Sequence, residues 1–240
     1  MTAQTNVILA TLKHTINGPA IKQIVAREAK VPVQVAGDIL SKLYKQELIE
    51  YDFEQIKLFS NQRIKLALYA INQGADVESI CKLLEWKEFE NFTAQVFEKN
   101  NFLTKRNFRF KAAQRKWEID VVAYNEPFIV CVDCKRWRRG WRNSAIKRIA
   151  AEQAKRTLVL ANSLDFLQKK LDLNNWRCAT LFPAILSLFP GPVKFYNKVP
   201  VVPILQIQNF IDEFLGHQKE LLNFKGKLGP KMSDYLDDTF

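Results

Sequence analysis

A mixed α/β domain, preceded by a small helical unit that closes with a hairpin, is the fold class that this 240-residue sequence predicts. Three observations predict it. Apolar residues recur at helical spacing through Val96 and then give way to strand-like runs. Those runs follow the order helix, three-stranded meander, helix, strand, which is the order of an α/β sandwich. Gly18-Pro19, Pro32 and Gly74 punctuate the N-terminal segment where its helical pattern breaks.

In chain order, Leu9, Leu12 and Ile16 make a first helical stripe, and Gly18-Pro19 opens a second helix carrying Ile21, Ile24 and Val25. After Val31-Pro32 a third helix turns Ala36, Ile39, Leu40 and Leu43 inward, with Gln34, Asp38, Ser41, Lys42 and Lys45 outward. Leu48 to Tyr51 and Ile56 to Phe59 form a hairpin. Helix, helix, turn, helix, hairpin is the order of a winged helix-turn-helix, whose third helix can enter a major groove. Residues 61–84 are predicted as a helical connector between this unit (1–60) and a second domain (85–224), and 225–240 as a mobile tail. The second domain begins with a helix of about 14 residues bearing Trp86, Phe89, Thr93 and Val96. Strands follow at Phe102 to Phe110, Trp117 to Tyr124 and Phe128 to Lys135. Asn143 caps a long helix through Ala161 with the stripe Ile146, Ile149, Ala150 and Thr157. Ala179 to Leu188 and Val199 to Leu205 add strands, and Gln206 to Leu215 a closing helix.

Composition narrows the function. No apolar run approaches the ~20 residues that span a bilayer, and the first ten residues lack a charged leader, so a soluble intracellular protein without membrane contact is expected. Four cysteines, two of them a C-x-x-C at Cys131 and Cys134, have no second ligand pair for a structural zinc site and are expected to be strand residues. The net charge is +11, and residues 99–160 hold 16 Lys/Arg against five Asp/Glu, so the whole excess lies there. Concentrated positive charge is the footprint of a polyanion, and DNA is the expected partner. Residues 1–60 carry seven basic and six acidic side chains, which leaves DNA or protein contact open for the winged helix.

The chemistry sits at strand ends. Residues 128–135 are apolar until Asp133 and Lys135, which alternation places on one face about 6.6 Å apart. A charge inside such a run costs energy unless paired. The preceding strand also carries an acid, Asp120, inside apolar residues, and the short Asn125-Glu126-Pro127 turn lays the two strands side by side. Two carboxylates at a sheet end suit Mg²⁺ or Mn²⁺, hard cations that prefer oxygen ligands, and the carbonyl of Cys134 is a further candidate ligand. Lys135 beside them is placed to stabilise a phosphoryl transition state. Glu90, near the sheet-facing stripe of its helix, is a candidate to complete the metal shell, the plain alternative being a rim residue. Gln153 lies on the apolar stripe of the later helix and needs a partner, a backbone hydrogen bond being the plain alternative.

Trp86-x-x-Phe89-Glu90, Glu118-Ile119-Asp120-Val121-Val122-Ala123 and Val132-Asp133-Cys134-Lys135 followed by Trp137 together resemble the restriction-endonuclease-like PD-(D/E)xK nucleases. The pattern is similar to the Mrr-type restriction enzymes and archaeal Holliday-junction resolvases over about residues 85–205. The resemblance implies an α/β/α sandwich with a mixed central sheet and metal-dependent DNA endonuclease activity. It also implies that Glu90, Asp120, Asp133 and Lys135 are the catalytic set, with Gln153 matching the helix residue that often follows. The chain departs from the pattern in having Asp at 133, where Glu is common, and Ile119 in place of the naming proline. Around this centre, Arg109, Lys111, Arg115 and Lys116 form one basic edge. Arg136, Trp137, Arg138, Arg139, Trp141, Arg142, Lys147 and Arg148 form another, interleaved with tryptophans that can stack on bases. A homodimer is a candidate assembly, since cutting both strands requires two sites. The alternatives are a non-catalytic DNA-binding protein on a nuclease fold and a winged-helix transcription regulator, neither of which needs the acid pair.

Overall fold

The computed structural model describes residues 2–135, 143–188 and 190–228, which divide into two compact units, residues 1–92 and 93–240.

The first unit runs α1 (Ala3–His14), β1 (Ala20–Ile21), α2 (Lys22–Ala29), α3 (Val33–Lys45), β2 (Glu50–Tyr51), β3 (Gln55–Lys57), α4 (Ser60–Asn72), α5 (Val77–Leu83) and the start of α6 (Trp86–Lys99). The hairpin is present, and Ala36, Leu40 and Leu43 are buried as their spacing predicts. Two details differ. Pro19 does not open a helix: Ala20 and Ile21 pair with Ile56 and Gln55 as a third strand, and α2 starts at Lys22. The open edge of a two-stranded hairpin offers the backbone groups that such a strand satisfies. Ile21 therefore points outward, 46% exposed. The α1 stripe is also rotated, to Val7, Ile8, Thr11 and Leu12, because the helix stops at His14 and leaves Ile16 beyond it on the surface. Thr15 closes that end, donating from both its N–H and its hydroxyl to the Thr11 carbonyl. Helices α4 and α5 pack on α1 inside this unit.

The second unit takes the rest of α6, then β4 (Leu103–Ala112), β5 (Arg115–Asn125), β6 (Phe128–Lys135), α7 (Asn143–Ala161), α8 (Leu164–Leu167), β7 (Ala179–Ser187), β8 (Phe195–Tyr196), β9 (Val199–Pro203), α9 (Ile207–His217) and β10 (Phe224–Gly226). The sheet order is β4-β5-β6-β7-β9-β8, with β10 added on β7. Short turns make β4, β5 and β6 antiparallel, whereas the crossover through α7 makes β6 and β7 parallel. The result is the mixed sheet that the resemblance implies. All nine residues of β7 are buried, which is why that strand reads as an uninterrupted apolar run.

Layers lie on both faces. On one, Ile129, Cys131 and Leu181 meet Leu160 and Leu164, and Ile185 meets Ile146 and Ala150 of α7. On the other, Phe214 of α9 packs edge-on against Phe182 and Phe128, at 4.9 and 5.7 Å between ring centroids, and Thr93 of α6 reaches Cys134. The segment expected as a tail begins as a strand: Phe224, Lys225 and Gly226 pair with Leu181, Thr180 and Ala179. Strand β9 covers only Ile185 to Ser187 of β7, so the earlier half of that edge is open to β10. Gly226 packs closely there, and a Cβ, 2.3 Å from Leu164 Cδ1, would force that side chain to shift.

Candidate active site

Strand β5 changes face just where its acid stands. Trp117 and Ile119 share a core with Val122 and Tyr124, a step of three between Ile119 and Val122 where regular alternation requires two or four. The β4–β5 ladder pairs Arg106 with Val121 and Phe108 with Ile119, and between them Asn107 has a φ of 49° opposite Asp120. Asn tolerates that left-handed conformation better than most residues. Asp120 thus occupies a break in the strand and is half-buried.

From there its carboxylate reaches β6. Oδ2 of Asp120 accepts a hydrogen bond of 2.8 Å from the backbone N–H of Cys134, the residue after Asp133. The β5–β6 ladder ends at Val121–Val132, so this side-chain bond extends the junction by one step. In an extended strand the N–H and C=O of one residue point to the same edge. The Cys134 carbonyl is therefore directed toward β5 as well, whereas Lys135 offers its carbonyl to Leu188 on the β7 side.

Asp133 is 2% exposed and lies between two cations. Lys135 Nζ sits 3.0 Å from Oδ1 and 2.9 Å from Oδ2, and donates to Oδ1. Arg156 Nη1, from α7, donates to the same Oδ1 at 2.7 Å. Among the described residues, Oδ2 has no hydrogen-bond partner despite the nearby ammonium. Asp133 and Lys135 do share a face, as alternation requires. Gln153, fully buried, donates to the Cys131 carbonyl at 2.7 Å, the backbone partner that a polar residue on an apolar stripe needs, and its Oε1 lies 3.5 Å from Arg156 Nη1. Glu90 is 2% exposed on α6, three residues before Thr93, and belongs by its position to the first unit.

Among the described residues, no three His, Cys, Asp or Glu side chains gather for a metal. Mg²⁺ keeps several waters and takes one or two carboxylates. The hard oxygen set of Asp120, Asp133 and the Cys134 carbonyl, with one buried Asp133 oxygen lacking a hydrogen bond, suits such an ion. The C-x-x-C pair does not suit zinc. Cys131 lies in the α7-side core and Cys134 touches Thr93 on the opposite face. Burial pushes the Cys131 thiol up to about 12, so it stays protonated.

The first basic edge lies on the β4–β5 hairpin. Arg109, Lys111 and Lys116 line a groove of about 670 Å³ with Phe110, Trp117, Glu118 and Lys170. Arg109 pairs with Glu118 at 2.9 Å, and Arg115 sits 4.7 Å over the Trp117 ring. Lys147 and Arg148 are exposed on the early turns of α7. Arg136, Trp137, Arg138, Arg139, Trp141 and Arg142 lie outside the described residues. Two residues escape sequence reading. Lys170 carries no local signal. Arg156 has one that is weak, its position three residues after Gln153 on the same helical side.

A mixed sheet layered by helices carries Asp120, Asp133 and Lys135 at one strand junction. Residues 81–164 match the family model described as Restriction endonuclease (Mrr_cat). An uncharacterised protein of Archaeoglobus fulgidus is 26% identical over 129 residues, covering 53% of this chain and 90% of that protein. Among solved structures, the protein of unknown function AF1548 is similar at 21% identity over 41% of this chain, with a TM-score of 0.27. Protein VC1899 from Vibrio cholerae is similar at 11% identity over 90% of this chain, with a TM-score of 0.38. The chain spans about half the length of these two, 44% and 52%. Among the described residues, no helix is long and apolar enough to cross a membrane.

Proposed function

We propose that the second unit is a metal-dependent DNA endonuclease that hydrolyses phosphodiesters with Mg²⁺ or Mn²⁺. The ion would be held by Asp120, Asp133 and the Cys134 carbonyl. One observation carries the reading: the Asp120 carboxylate is fixed to the Cys134 N–H, beside a buried Asp133 that keeps one oxygen without a hydrogen bond. When bound, the cation supplies a water of lowered pKa and neutralises charge on the phosphate.

The chain's own groups do the rest. Lys135, two residues from Asp133 and a quarter exposed, sets an ammonium against the negative charge that grows on the phosphoryl oxygens. Gln153 positions rather than reacts, tying α7 to the Cys131 carbonyl and holding Arg156 in register. The hairpin cations Arg109, Lys111, Arg115 and Lys116 bind backbone phosphates, as do Lys147, Arg148 and the basic residues of 136–142.

The first unit has the element order of a winged helix, with Gln34, Asp38, Lys42 and Lys45 exposed along α3 for a groove or a partner. Its nearly balanced charge assigns most of the electrostatic attraction to the second unit. An intracellular, DNA-associated protein, with a homodimer as the assembly that cuts both strands, completes the reading.

The test is cleavage of duplex, single-stranded, flap and four-way-junction DNA with Mg²⁺, EDTA or Mn²⁺. Cleavage is expected with either cation, none in EDTA, and none by Asp120→Asn, whose DNA affinity is retained. Binding of all four substrates without cleavage under any condition would move the protein to the non-catalytic class.

A further inference from the structure

The acid pair carries a second cation that neither its strand position nor the nuclease pattern requires. Arg156 and Lys135 share one carboxylate oxygen of a side chain that is 2% exposed. With Asp120, the local set is two acids and two cations. A divalent ion added to that set brings two further positive charges within a few ångströms of the guanidinium. At such separations like charges repel strongly even where the surroundings screen them. One of the two cations is then better placed elsewhere.

Lys135 cannot travel far, since it stands two residues along the same strand face from Asp133. Arg156 can. Its side chain is 27% exposed, and among the described residues its far side meets only Glu152, 3.9 Å away and 55% exposed. Arg148, Glu152 and Arg156 recur at four-residue spacing along one side of α7, so Arg156 is the inner end of a surface stripe. Its planar fork suits two phosphate oxygens better than the single carboxylate oxygen it now holds.

We propose that Arg156 is a substrate-phosphate ligand held in reserve, neutralising Asp133 in the cation-free site and passing to the DNA backbone when a divalent cation takes its place. Cation and DNA binding are therefore coupled through this residue, and by linkage each strengthens the other. The proposal rests on the nuclease reading above and assigns a regulatory exchange within that site.

The experiment measures duplex DNA affinity by fluorescence anisotropy in EDTA and in Ca²⁺, with calorimetric Ca²⁺ titration of the DNA-free protein. For the unsubstituted protein the gain in affinity from EDTA to Ca²⁺ is expected to be at least about tenfold, within the usual range for coupled sites. Arg156→Gln is expected to gain less than about threefold, to bind DNA in EDTA about as well as the parent, and to bind Ca²⁺ without DNA at least as tightly. If Arg156→Gln does not fold, Arg156→Lys carries the test. It keeps a charge at Asp133 without the fork and is expected to lose at least about threefold of the gain. A variant that keeps the full gain overturns the role of Arg156 while leaving the nuclease reading intact. Absence of Ca²⁺ binding to the unsubstituted protein overturns both.

Discussion

Each unit of the molecule sets an arginine on a buried carboxylate, and the two pairs are finished differently. In the first unit, Arg63 engages all three nitrogens of its guanidinium. Nε pairs with Glu88, Nη1 donates to the Leu12 carbonyl at 2.8 Å and the Thr15 hydroxyl at 2.7 Å, and Nη2 donates to the Leu83 carbonyl at 2.7 Å. The other Glu88 oxygen accepts the Glu85 N–H, and the two side chains are 5% and 7% exposed. In the second unit, Asp133 is as deeply buried, but Arg156 and Lys135 are 27% and 25% exposed and, among the described residues, one carboxylate oxygen has no hydrogen bond. A buried polar network that satisfies every group acts as a clamp, whereas one left partly open holds capacity for a ligand. Arg63 joins α1, α4, α5 and α6 through all three of its nitrogens. The Asp133 cluster is the more open of the two, with both of its cations partly exposed.

The largest effect should come from breaking the closed network. Arg63→Ala removes all of these bonds and strands Glu88 in the interior, a loss of about 3–5 kcal/mol for one partner of a buried pair. Chemical denaturation checks this. Arg63→Lys should recover little, because a single ammonium cannot reach Leu12, Thr15, Leu83 and Glu88 together. A loss below about 1 kcal/mol, the scale of an exposed pair, would erase the proposed distinction between clamp and site.

Next in size is Lys135→Ala, where the cost should appear in rate and not in fold. Removing one electrostatic stabiliser from an active site lowers the cleavage rate by about a hundredfold or more. DNA affinity should fall by less than about tenfold, or 1.4 kcal/mol. Arg156 still pairs with Asp133 in this variant, so the carboxylate is not stranded. Single-turnover cleavage at saturating protein measures the rate free of binding. A normal rate would make the strand-end cluster a salt bridge of the same kind as Arg63–Glu88.

The difference between the two networks was only half legible in the sequence. Asp133 and Lys135 could be placed on one face because strand alternation is local, and Asp120 stood out as an acid among apolar neighbours. The need of Gln153 for a partner followed from its place on an apolar stripe. Arg156 did not stand out, because an arginine on an amphipathic helix reads as a solvated residue until the crossover sets that helix over β6. Arg63 is hidden for the same reason, lying within Ser60–Asn72, an amphipathic helix with both buried and exposed residues. The face change at Asp120 depends on the left-handed Asn107 across the ladder, a pairing that periodicity within one strand cannot reveal. Strands β1 and β10 were missed because two or three residues carry no period, and each exists only to cover an edge left by its neighbours.

The smallest effects should belong to ion pairs that neither clamp nor react, and the β4–β5 hairpin supplies the example. Arg109 and Glu118 pair at 2.9 Å with side chains 74% and 43% exposed. Water screens such a pair, so Arg109→Ala should leave the thermal midpoint unchanged, in contrast to Arg63→Ala. Its effect should appear instead in DNA binding. Removing a side chain that neutralises one phosphate lowers the slope of log affinity against log salt by ~0.9 on duplex DNA. Arg109→Ala and Lys116→Ala should each lower that slope by up to this amount, with cleavage at saturating protein nearly normal. Glu118→Gln removes an acid from the same groove, so it should raise affinity by less than about tenfold and leave the slope in place. Salt titrations of the three variants decide it. If none of them moves slope or affinity, the hairpin is not the DNA-facing edge, and the charge excess of residues 99–160 must act through residues 135–148.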